Sequence, residues 1–187
     1  MPTPALIVID LQTAMLDGVQ FPPMFDHVAL LARVAALLAA ARRSGAPVAF
    51  VRHDGEPGEA IERGAPGWPI HPAIAPLEGE PIFEKTVGDA FAQTNLAGWL
   101  AERGADEVVL LGAQTDFCVN ATFGGAKERN LSVAVVADAH STWPSNGETA
   151  ARIIDRYNAV FAEGGARLVA TDDLIAELSE TRPDRAT

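Results

Sequence analysis

The chain has 187 residues, 48% of them apolar, which is enough for one sizeable core and too short for a second full domain. Its formal net charge of -11 disfavours nucleic acid and anionic membranes as partners, so a small-molecule substrate is expected. No apolar run is long enough to span a bilayer, and the first residues lack the basic and apolar regions of a secretory signal. We therefore expect a cytoplasmic protein, in which the single cysteine cannot form an internal disulfide.

The first elements of the chain read as strand, helix and strand. Residues 5–9 form an uninterrupted apolar run, which is typical of a buried parallel strand. Asp26 is predicted to cap a helix with Val28 and later apolar residues at helical spacing, and Gly45 is predicted to end it. Residues 47–51 predict the second strand.

A long loop at residues 52–81 separates the second strand from the third. It is rich in Gly and Pro, and a loop of this length is more often functional than idle. The third strand is short, covering residues 82–84, and runs into Lys85. Thr94 is predicted to cap the helix that follows, and Gly104 to end it.

The only cysteine, Cys118, lies at a turn between the fourth strand at residues 106–111 and a helix that Asn130 closes. Unpaired N–H groups and the positive end of the helix dipole favour thiolate over thiol at such a position. The turn is therefore a candidate for chemistry as well as for packing.

The remaining elements continue the alternation. Residues 131–137 predict the fifth strand, and Ser145 with Glu148 form a capping-box pattern that opens a helix ended by Gly164. The last strand, the last helix and a polar tail are predicted at residues 167–170, 172–178 and 181–187. We expect a single domain over residues 1–180 and a frayed tail after it.

This alternation predicts an α/β fold, a three-layer α/β/α sandwich around a six-stranded parallel sheet of Rossmann-like type. In such sheets, ligands bind beyond the carboxyl ends of the strands. Polar residues stand at or just after several of these ends, namely Asp10, His53, Lys85, the Cys118 turn and Asp138. The sequence therefore predicts a site at this edge.

Asp10, Lys85 and Cys118 form a catalytic set if they converge. A thiolate is the attacking species, and Lys85 can stabilise it by charge. Asp10 can take the thiol proton and later give it to a leaving amine. Taken singly, a lone cysteine is usually a packing residue, an aspartate after a strand a turn former and a lysine a surface charge. Their joint placement favours catalysis.

Six segments of the chain together carry a family resemblance. They are Ala5-Leu-Ile-Val-Ile-Asp10-Leu-Gln12, Val51-Arg-His53-Asp54, Glu80-Pro-Ile-Phe-Glu-Lys85, Asp89-Ala-Phe91, Gly112-Ala-Gln-Thr-Asp-Phe-Cys118-Val119 and Val136-Ala-Asp138-Ala139. In this order they resemble the isochorismatase-like cysteine hydrolases, which include nicotinamidases and N-carbamoylsarcosine amidases. The resemblance covers nearly the whole chain, and six segments in register are specific where one is not.

The resemblance implies that Asp10, Lys85 and Cys118 are a catalytic triad for hydrolysis of a C–N bond in a small amide or carbamoyl compound, through a thioester. It also implies a cis peptide at Ala113-Gln114 and an oxyanion hole made by the N–H groups of Gln114 and Cys118. Isochorismatases that cleave an enol ether lack the cysteine, so Cys118 favours the amidase branch. We expect no cofactor, and we expect the protein to form a homo-oligomer.

The long loop and several aromatic residues are expected to roof the pocket. Candidate substrate contacts are Gln12, His53, Trp68, His71, Phe91, Phe117 and Trp143. Packing in the core is the alternative for Phe91 and Phe117, and contact with another subunit is the alternative for Trp143.

We predict no catalytic metal. Nicotinamidases carry an Asp-x-His metal motif after the second strand, where this chain has Arg52-His53-Asp54. Trp68-Pro-Ile-His71 does resemble a later nicotinamidase segment, but one matching ligand makes a poor zinc site. His53 and His71 are then expected either to bind a substrate carboxylate or carbonyl, or to order the loop.

Two other classes of function stay open on the same fold, a non-catalytic small-molecule-binding module and a thiol redox protein. No Gly-x-Gly-x-x-Gly follows the first strand and no phosphate-loop lysine motif is present, which speaks against dinucleotides and nucleoside triphosphates as ligands. A redox thiol in this chain has no second cysteine to resolve it.

Overall fold

Six parallel strands form one sheet in the computed structural model, which describes residues 3–180. The strands are β1 Pro4–Ile9, β2 Val48–His53, β3 Ile82–Lys85, β4 Glu107–Ala113, β5 Ser132–Ser141 and β6 Arg167–Val169. Their order across the sheet is β3-β2-β1-β4-β5-β6, and every neighbouring pair is parallel. The predicted six-stranded parallel sheet is confirmed.

Helices cover both faces of this sheet. In chain order they are α1 Thr13–Leu16, α2 His27–Ser44, α3 Leu96–Glu102, α4 Asn120–Glu128, α5 Ala150–Glu163 and α6 Thr171–Glu180. Buried side chains of α2 and α6 pack on one face, and those of α3, α4 and α5 pack on the other. The fold is therefore the predicted three-layer sandwich.

The strand β1 shows why the central runs are apolar throughout. Leu6 and Val8 belong to the core under α2 and α6, whereas Ile7 and Ile9 belong to the opposite core. All four side chains have no exposed surface. Because both faces are covered, each position of the strand gains free energy from burial, about 1.5–3 kcal/mol for a Leu or Ile side chain.

The sheet order reverses between β1 and β4, where Ile9 lies beside Gly112. Gly112 has a φ of 122°, and a Cβ atom there would collide with the backbone of Ile9, so only glycine fits. The next residue after β1, Asp10, has a φ of 48°, which aspartate tolerates better than most residues. The crevice at this reversal is where doubly wound sheets bind ligands.

The predicted start of α2 at Asp26 is confirmed, but the side-chain contacts expected there are wrong. Asp26 adopts a φ of 51° and makes no side-chain capping bond, and its carboxylate instead pairs with the Arg33 guanidinium at 3.2 Å. Val28, which was expected on the buried face, is 70% exposed. The face that packs on the sheet is formed by Leu30, Val34, Leu37, Leu38, Ala40 and Ala41.

The capping box predicted for α5 is also wrong. Ser145 and Glu148 pair through their backbones in a turn that precedes the helix. Thr149 provides the cap, because its hydroxyl accepts a hydrogen bond from the Arg152 N–H. The sequence pattern therefore predicted the start of α5 within a few residues, but the capping side chain is that of Thr149 and not of Ser145.

None of the helices in the described part of the chain is both long and apolar enough to cross a bilayer. The tail predicted to be frayed, residues 181–187, lies outside the described residues.

Candidate active site

Side chains from three strand ends converge beside the reversal of the sheet. Lys85 Nζ lies 2.7 Å from Asp10 Oδ2 and 3.3 Å from Cys118 Sγ. Lys85 comes from the edge strand β3, and its side chain reaches inward with 0% of its surface exposed. The structure thus brings together the three residues that the sequence proposed, and it buries an ion pair between two of them.

The electrostatics of the cysteine differ from the sequence-based expectation. Burial and the Asp10 carboxylate raise the pKa of the Cys118 thiol to about 12, against the opposing effect of Lys85. Burial alone would lower the pKa of Lys85, but Asp10 and Cys118 outweigh it and the pKa is raised. The folded surroundings therefore favour a neutral thiol beside an ion pair, in the direction opposite to the effect of the helix start expected from the sequence.

The second carboxylate oxygen of Asp10 has no partner. Asp10 Oδ1 is buried without a hydrogen bond, whereas Oδ2 holds Lys85. Burying such an atom without a hydrogen bond lowers the free energy of unfolding by about 1–3 kcal/mol. Where a native protein keeps an unsatisfied buried atom, a catalytic role is one of the usual reasons. A carboxylate oxygen of Asp10 lies within 4.8 Å of Cys118 Sγ, and an unpartnered carboxylate oxygen has the chemistry to accept a thiol proton.

His53 is a fourth side chain at the site. Its Nδ1 lies 3.3 Å from Lys85 Nζ. Burial and then the Lys85 charge lower the pKa of His53, against the opposing carboxylates of Asp10 and Glu59, so the ring is neutral at neutral pH. A ring that accepts an N–H at Nδ1 carries its own proton on Nε2. His53 was expected either to bind substrate or to order the loop. The structure places it beside Lys85 in the site, and its contact with substrate stays a prediction.

Asp10, His53 and Cys118 also have the side-chain types that bind metals. Their ligand atoms lie within 4.8 Å of one another. Lys85 Nζ is within 3.3 Å of each of the three side chains, so an ammonium ion already lies among these donors. A divalent metal would have to displace that charge from a buried site. Catalysis without a metal stays our prediction.

The turn that carries the cysteine is held by hydrogen bonds that the sequence did not reveal. Thr115 Oγ1 lies 2.9 Å from His140 Nδ1, and His140 Nε2 lies 3.0 Å from Asn158 Oδ1. Thr142 Oγ1 donates to Asp116 Oδ1 at 2.6 Å. Burial lowers the pKa of His140, which keeps this ring neutral. The turn is thus fixed from the end of β5, which extends four residues beyond its predicted limit.

The peptide bond between Ala113 and Gln114 is cis, as the family resemblance implies. Gln114 precedes a five-residue π-helical turn, Thr115–Val119, which contains Cys118. The assignment of the Gln114 and Cys118 N–H groups to an oxyanion hole stays a prediction.

Asp138 is not part of the site. It lies within β5, and its Oδ1 accepts hydrogen bonds from the N–H and the hydroxyl of Thr171, each at 2.9 Å. Its other oxygen lies 3.5 Å from Arg33 Nε. The carboxylate therefore holds the start of α6, and its assignment to the ligand-binding edge was wrong because the strand runs past it.

Gln12 has a structural role instead of the substrate contact predicted for it. The side chain has no exposed surface. Its Nε2 donates to the carbonyls of His53 and Trp68, each at 2.9 Å, and its Oε1 accepts from the His53 N–H at 3.0 Å. The amide joins the end of β2 to the long loop, and so positions His53.

Replacing Gln12 with Leu should lower the free energy of unfolding by about 3 kcal/mol, because buried backbone groups lose their partners. Urea unfolding measures this change. The matched control is Gln93→Leu, since Gln93 Oε1 accepts only from the exposed Thr86, and its loss should stay below about 1 kcal/mol. Equal losses in the two variants would contradict the part assigned to Gln12.

Trp68 anchors the loop to the edge of the sheet. The guanidinium carbons of Arg52 and Arg63 lie over its ring, 3.4 Å and 5.4 Å from the centroid. Its Nε1 donates to Asp54 Oδ1 at 2.7 Å, and both arginines pair with Glu84. Its cation–π and hydrogen-bond partners make Trp68 a scaffold residue, and its contact with substrate stays a prediction.

Three further candidates take different places. His71 Nδ1 accepts from the Ala73 N–H at 3.2 Å and caps the short 3-10 turn Pro72–Ile74, so this histidine orders the loop. Phe91 is 4% exposed and packs in the core, as the alternative interpretation held. Phe117 is 60% exposed, so the core alternative is wrong for it, and it is accessible beside the cysteine.

A cavity of about 630 Å³ adjoins the cysteine turn, a volume typical of small-molecule sites. Gln114 forms part of its wall, together with Met15, Phe21, Glu59 and Trp143. The rings of Phe21 and Trp143 meet edge to face at 6.4 Å. Sequence reasoning proposed Trp143 here but missed Phe21 and Glu59, because neither belongs to a motif or a periodic pattern.

Comparison with known proteins places this fold and site in a family. The model of the isochorismatase domain matches residues 4–165. The chain belongs to the isochorismatase family. An isochorismatase-family structure, the isochorismatase of Pseudomonas putida KT2440, superposes on it with a TM-score of 0.83 at 31% identity, covering 91% of this chain and 89% of the other.

The curated relatives of this isochorismatase-family chain include proteins with named activities. A streptothricin hydrolase of Streptomyces noursei is 37% identical over 142 residues, which is 76% of this chain and 56% of that protein. A maleamate amidohydrolase of Pseudomonas putida is 32% identical over 154 residues, 72% of this chain and 70% of that protein. The chain spans about half the length of the streptothricin hydrolases it matches, 56% and 50%.

Proposed function

We propose that this isochorismatase-family protein is a cysteine hydrolase that cleaves a C–N bond of a small amide or carbamoyl compound through a thioester. The arrangement of Asp10, Lys85 and Cys118 carries the proposal. It joins a nucleophile, a proton acceptor and a fixed positive charge, with the Lys85 ammonium 2.7 Å from the carboxylate and 3.3 Å from the sulfur. The names of the two curated relatives, a hydrolase and an amidohydrolase, support this reaction class.

The first half-reaction forms the thioester. Asp10 Oδ1 takes the proton from Cys118 as the sulfur attacks the carbonyl carbon, and Lys85 stabilises the sulfur anion that develops. The carbonyl oxygen gains negative charge, for which we assign the N–H groups of Gln114 and Cys118 as donors. When the C–N bond breaks, the protonated Asp10 gives its proton to the nitrogen, and ammonia or an amine leaves.

The second half-reaction returns the enzyme to its resting state. Water attacks the thioester carbon while Asp10 takes one of its protons. The C–S bond breaks, the acid product leaves and the proton returns to the sulfur. The neutral thiol of the resting site suits this cycle, because the thiolate forms only when a substrate carbonyl is in place to receive it.

The raised pKa of Cys118 also separates this proposal from a redox function. Sensor thiols are reactive because their pKa is low and they are largely thiolate at neutral pH. In this protein, burial and Asp10 shift the pKa of Cys118 to about 12, in the opposite direction. A thiol with a raised pKa reacts slowly with dissolved oxidants, which supports the hydrolase over the redox alternative.

A panel of small amides and carbamoyl compounds tests the proposal. The panel includes maleamate and nicotinamide, and release of ammonia or amine is followed together with the acid product by mass spectrometry. We expect at least one member to be hydrolysed, and we expect the rate to survive dialysis against a chelator because Lys85 supplies the cation. A panel without any turnover would contradict the proposed function, and loss of activity on chelation would contradict the absence of a metal.

The expected homo-oligomer and cytoplasmic location stay predictions from the sequence. Several apolar side chains between β1 and the first turn of α2 are exposed, namely Val19, Phe21, Phe25 and Val28. An apolar surface of this kind is compatible with a contact between subunits.

A further inference from the structure

The cavity beside the cysteine turn carries a single charge, and it is negative. Glu59 has the only ionisable side chain among the described residues that line it. Glu59 Oε2 accepts a hydrogen bond from the Glu56 N–H at 2.9 Å. Within residues 3–180, Oε1 has neither a hydrogen bond nor an ion pair, so it is free to bind a ligand.

Glu59 lines the same cavity as Gln114, the residue next to the cysteine turn. Glu59 also lies close enough to His53 for its charge to act on the titration of that ring. A substrate that has its amide at Cys118 and its other end in this cavity would meet the Glu59 carboxylate.

The rest of the lining suits a cation better than an anion. Phe21 and Trp143 contribute aromatic surface, and cations are attracted to the faces of such rings. Among the described lining residues no Lys or Arg offers a partner for a carboxylate. The net charge of -11 for the whole chain adds a field that draws cations and repels anions.

We infer that the substrate carries an ammonium or guanidinium group at a distance from the scissile amide, and that Glu59 binds this group. The inference rests on the proposed function, because it names the substrate class for the same site. It also separates this chain from its maleamate-hydrolysing relative, since the substrate in that name is an anion that Glu59 repels.

Three amides of equal length test the inference. They are 5-aminopentanamide, hexanamide and adipamate, which end in an ammonium, a methyl and a carboxylate group. We expect kcat/KM to fall in that order for the wild-type protein. The advantage of the cationic amide should shrink as salt rises from about 0.05 M to about 0.5 M, because Glu59 is exposed and its charge is screened.

The Glu59→Gln variant shows which residue is responsible. The ratio of kcat/KM for 5-aminopentanamide to that for hexanamide should fall about fivefold, as expected for one partly screened ion pair. Glu56→Gln is the matched control, since it removes the same charge from the same exposed loop without lining the cavity. This control should keep the wild-type ratio. An unchanged ratio in Glu59→Gln, or a preference of the wild type for adipamate, would overturn the inference.

Binding measurements separate this inference from the proposed function. If none of the three amides is hydrolysed, isothermal titration of Cys118→Ala with each of them still reports the preference. Tighter binding of 5-aminopentanamide than of hexanamide, lost in the double variant with Glu59→Gln, supports the cation site while the hydrolase proposal fails. Equal binding of the two amides overturns the cation site whatever the turnover.

Discussion

Replacing Cys118 with Ala should reduce turnover by at least about 10⁴-fold, because no other side chain at the site can form the thioester. Initial rates with the best amide of the panel measure this loss. The variant should remain folded, since removal of one sulfur from a half-buried side chain costs about 1 kcal/mol of unfolding free energy. A thermal melt close to that of the wild type checks the folding.

Trapping the intermediate gives the same prediction a direct readout. Wild-type protein quenched in acid during turnover should carry the acyl group of the substrate on the peptide that contains Cys118. The mass increase should be absent from Cys118→Ala, and Cys118→Ser tests whether an oxygen in the same place can substitute. Turnover that survives in the Ala variant would contradict both the nucleophile and the thioester.

The fold was predictable because the strands are buried on both faces. Successive residues of β1 lie in the two cores on opposite faces of the sheet, as Leu6, Ile7 and Val8 show. The apolar run is therefore continuous, and this pattern alone predicts a parallel strand. Once the sheet is parallel, the ends of its strands share one edge. That geometry brings Asp10 and Lys85 together across 75 residues of sequence.

Side chains that are fixed by loop packing were not predictable in the same way. Gln12 and Trp68 match family segments, but their hydrogen-bond partners depend on how residues 52–81 fold back, and that loop has no periodicity to read. The same holds for Glu59 in the cavity wall. His140 was missed because β5 runs past its predicted end, which turns a supposed loop residue into a buried partner of Thr115.

The sign of the pKa shift at Cys118 was the least predictable property. A helix start and a lysine both favour thiolate, and both are visible in the sequence. The opposing contributions, burial and the nearby Asp10 carboxylate, exist only in the folded site, and together they outweigh Lys85. The protonation state of a nucleophile is set by distances of a few ångströms, which patterns along a chain do not contain.

Replacing Asp10 with Asn should separate reactivity of the thiol from catalysis. Turnover should fall by about 10²–10⁴-fold, because the acceptor of the thiol proton is lost. Alkylation of Cys118 by iodoacetamide at neutral pH should nevertheless become faster. Asp10 is one of the causes that raise the pKa of Cys118, and Lys85, which lowers it, remains. More thiolate is then present at a given pH.

The pH dependence of alkylation gives the sign of this effect. With a thiol pKa near 12, wild-type alkylation should be slow at neutral pH and still rising under strongly alkaline conditions. In Asp10→Asn the same rise should occur at lower pH. Cys118 is the only cysteine, so the mass of the alkylated protein reports this site alone.

Asp155→Asn is the matched control, because it removes the same charge from an exposed position on α5. Turnover and alkylation should both keep their wild-type rates in this variant. If turnover and alkylation instead fall together in Asp10→Asn, the carboxylate serves mainly to hold Lys85 and the thiol in place. A loosened site would also speed alkylation, because burial is the first cause of the raised pKa of Cys118. Faster alkylation with lost turnover, in a variant whose thermal melt matches that of the wild type, excludes this explanation. That combination identifies Asp10 as the group that keeps the thiol protonated at rest and takes its proton during the reaction.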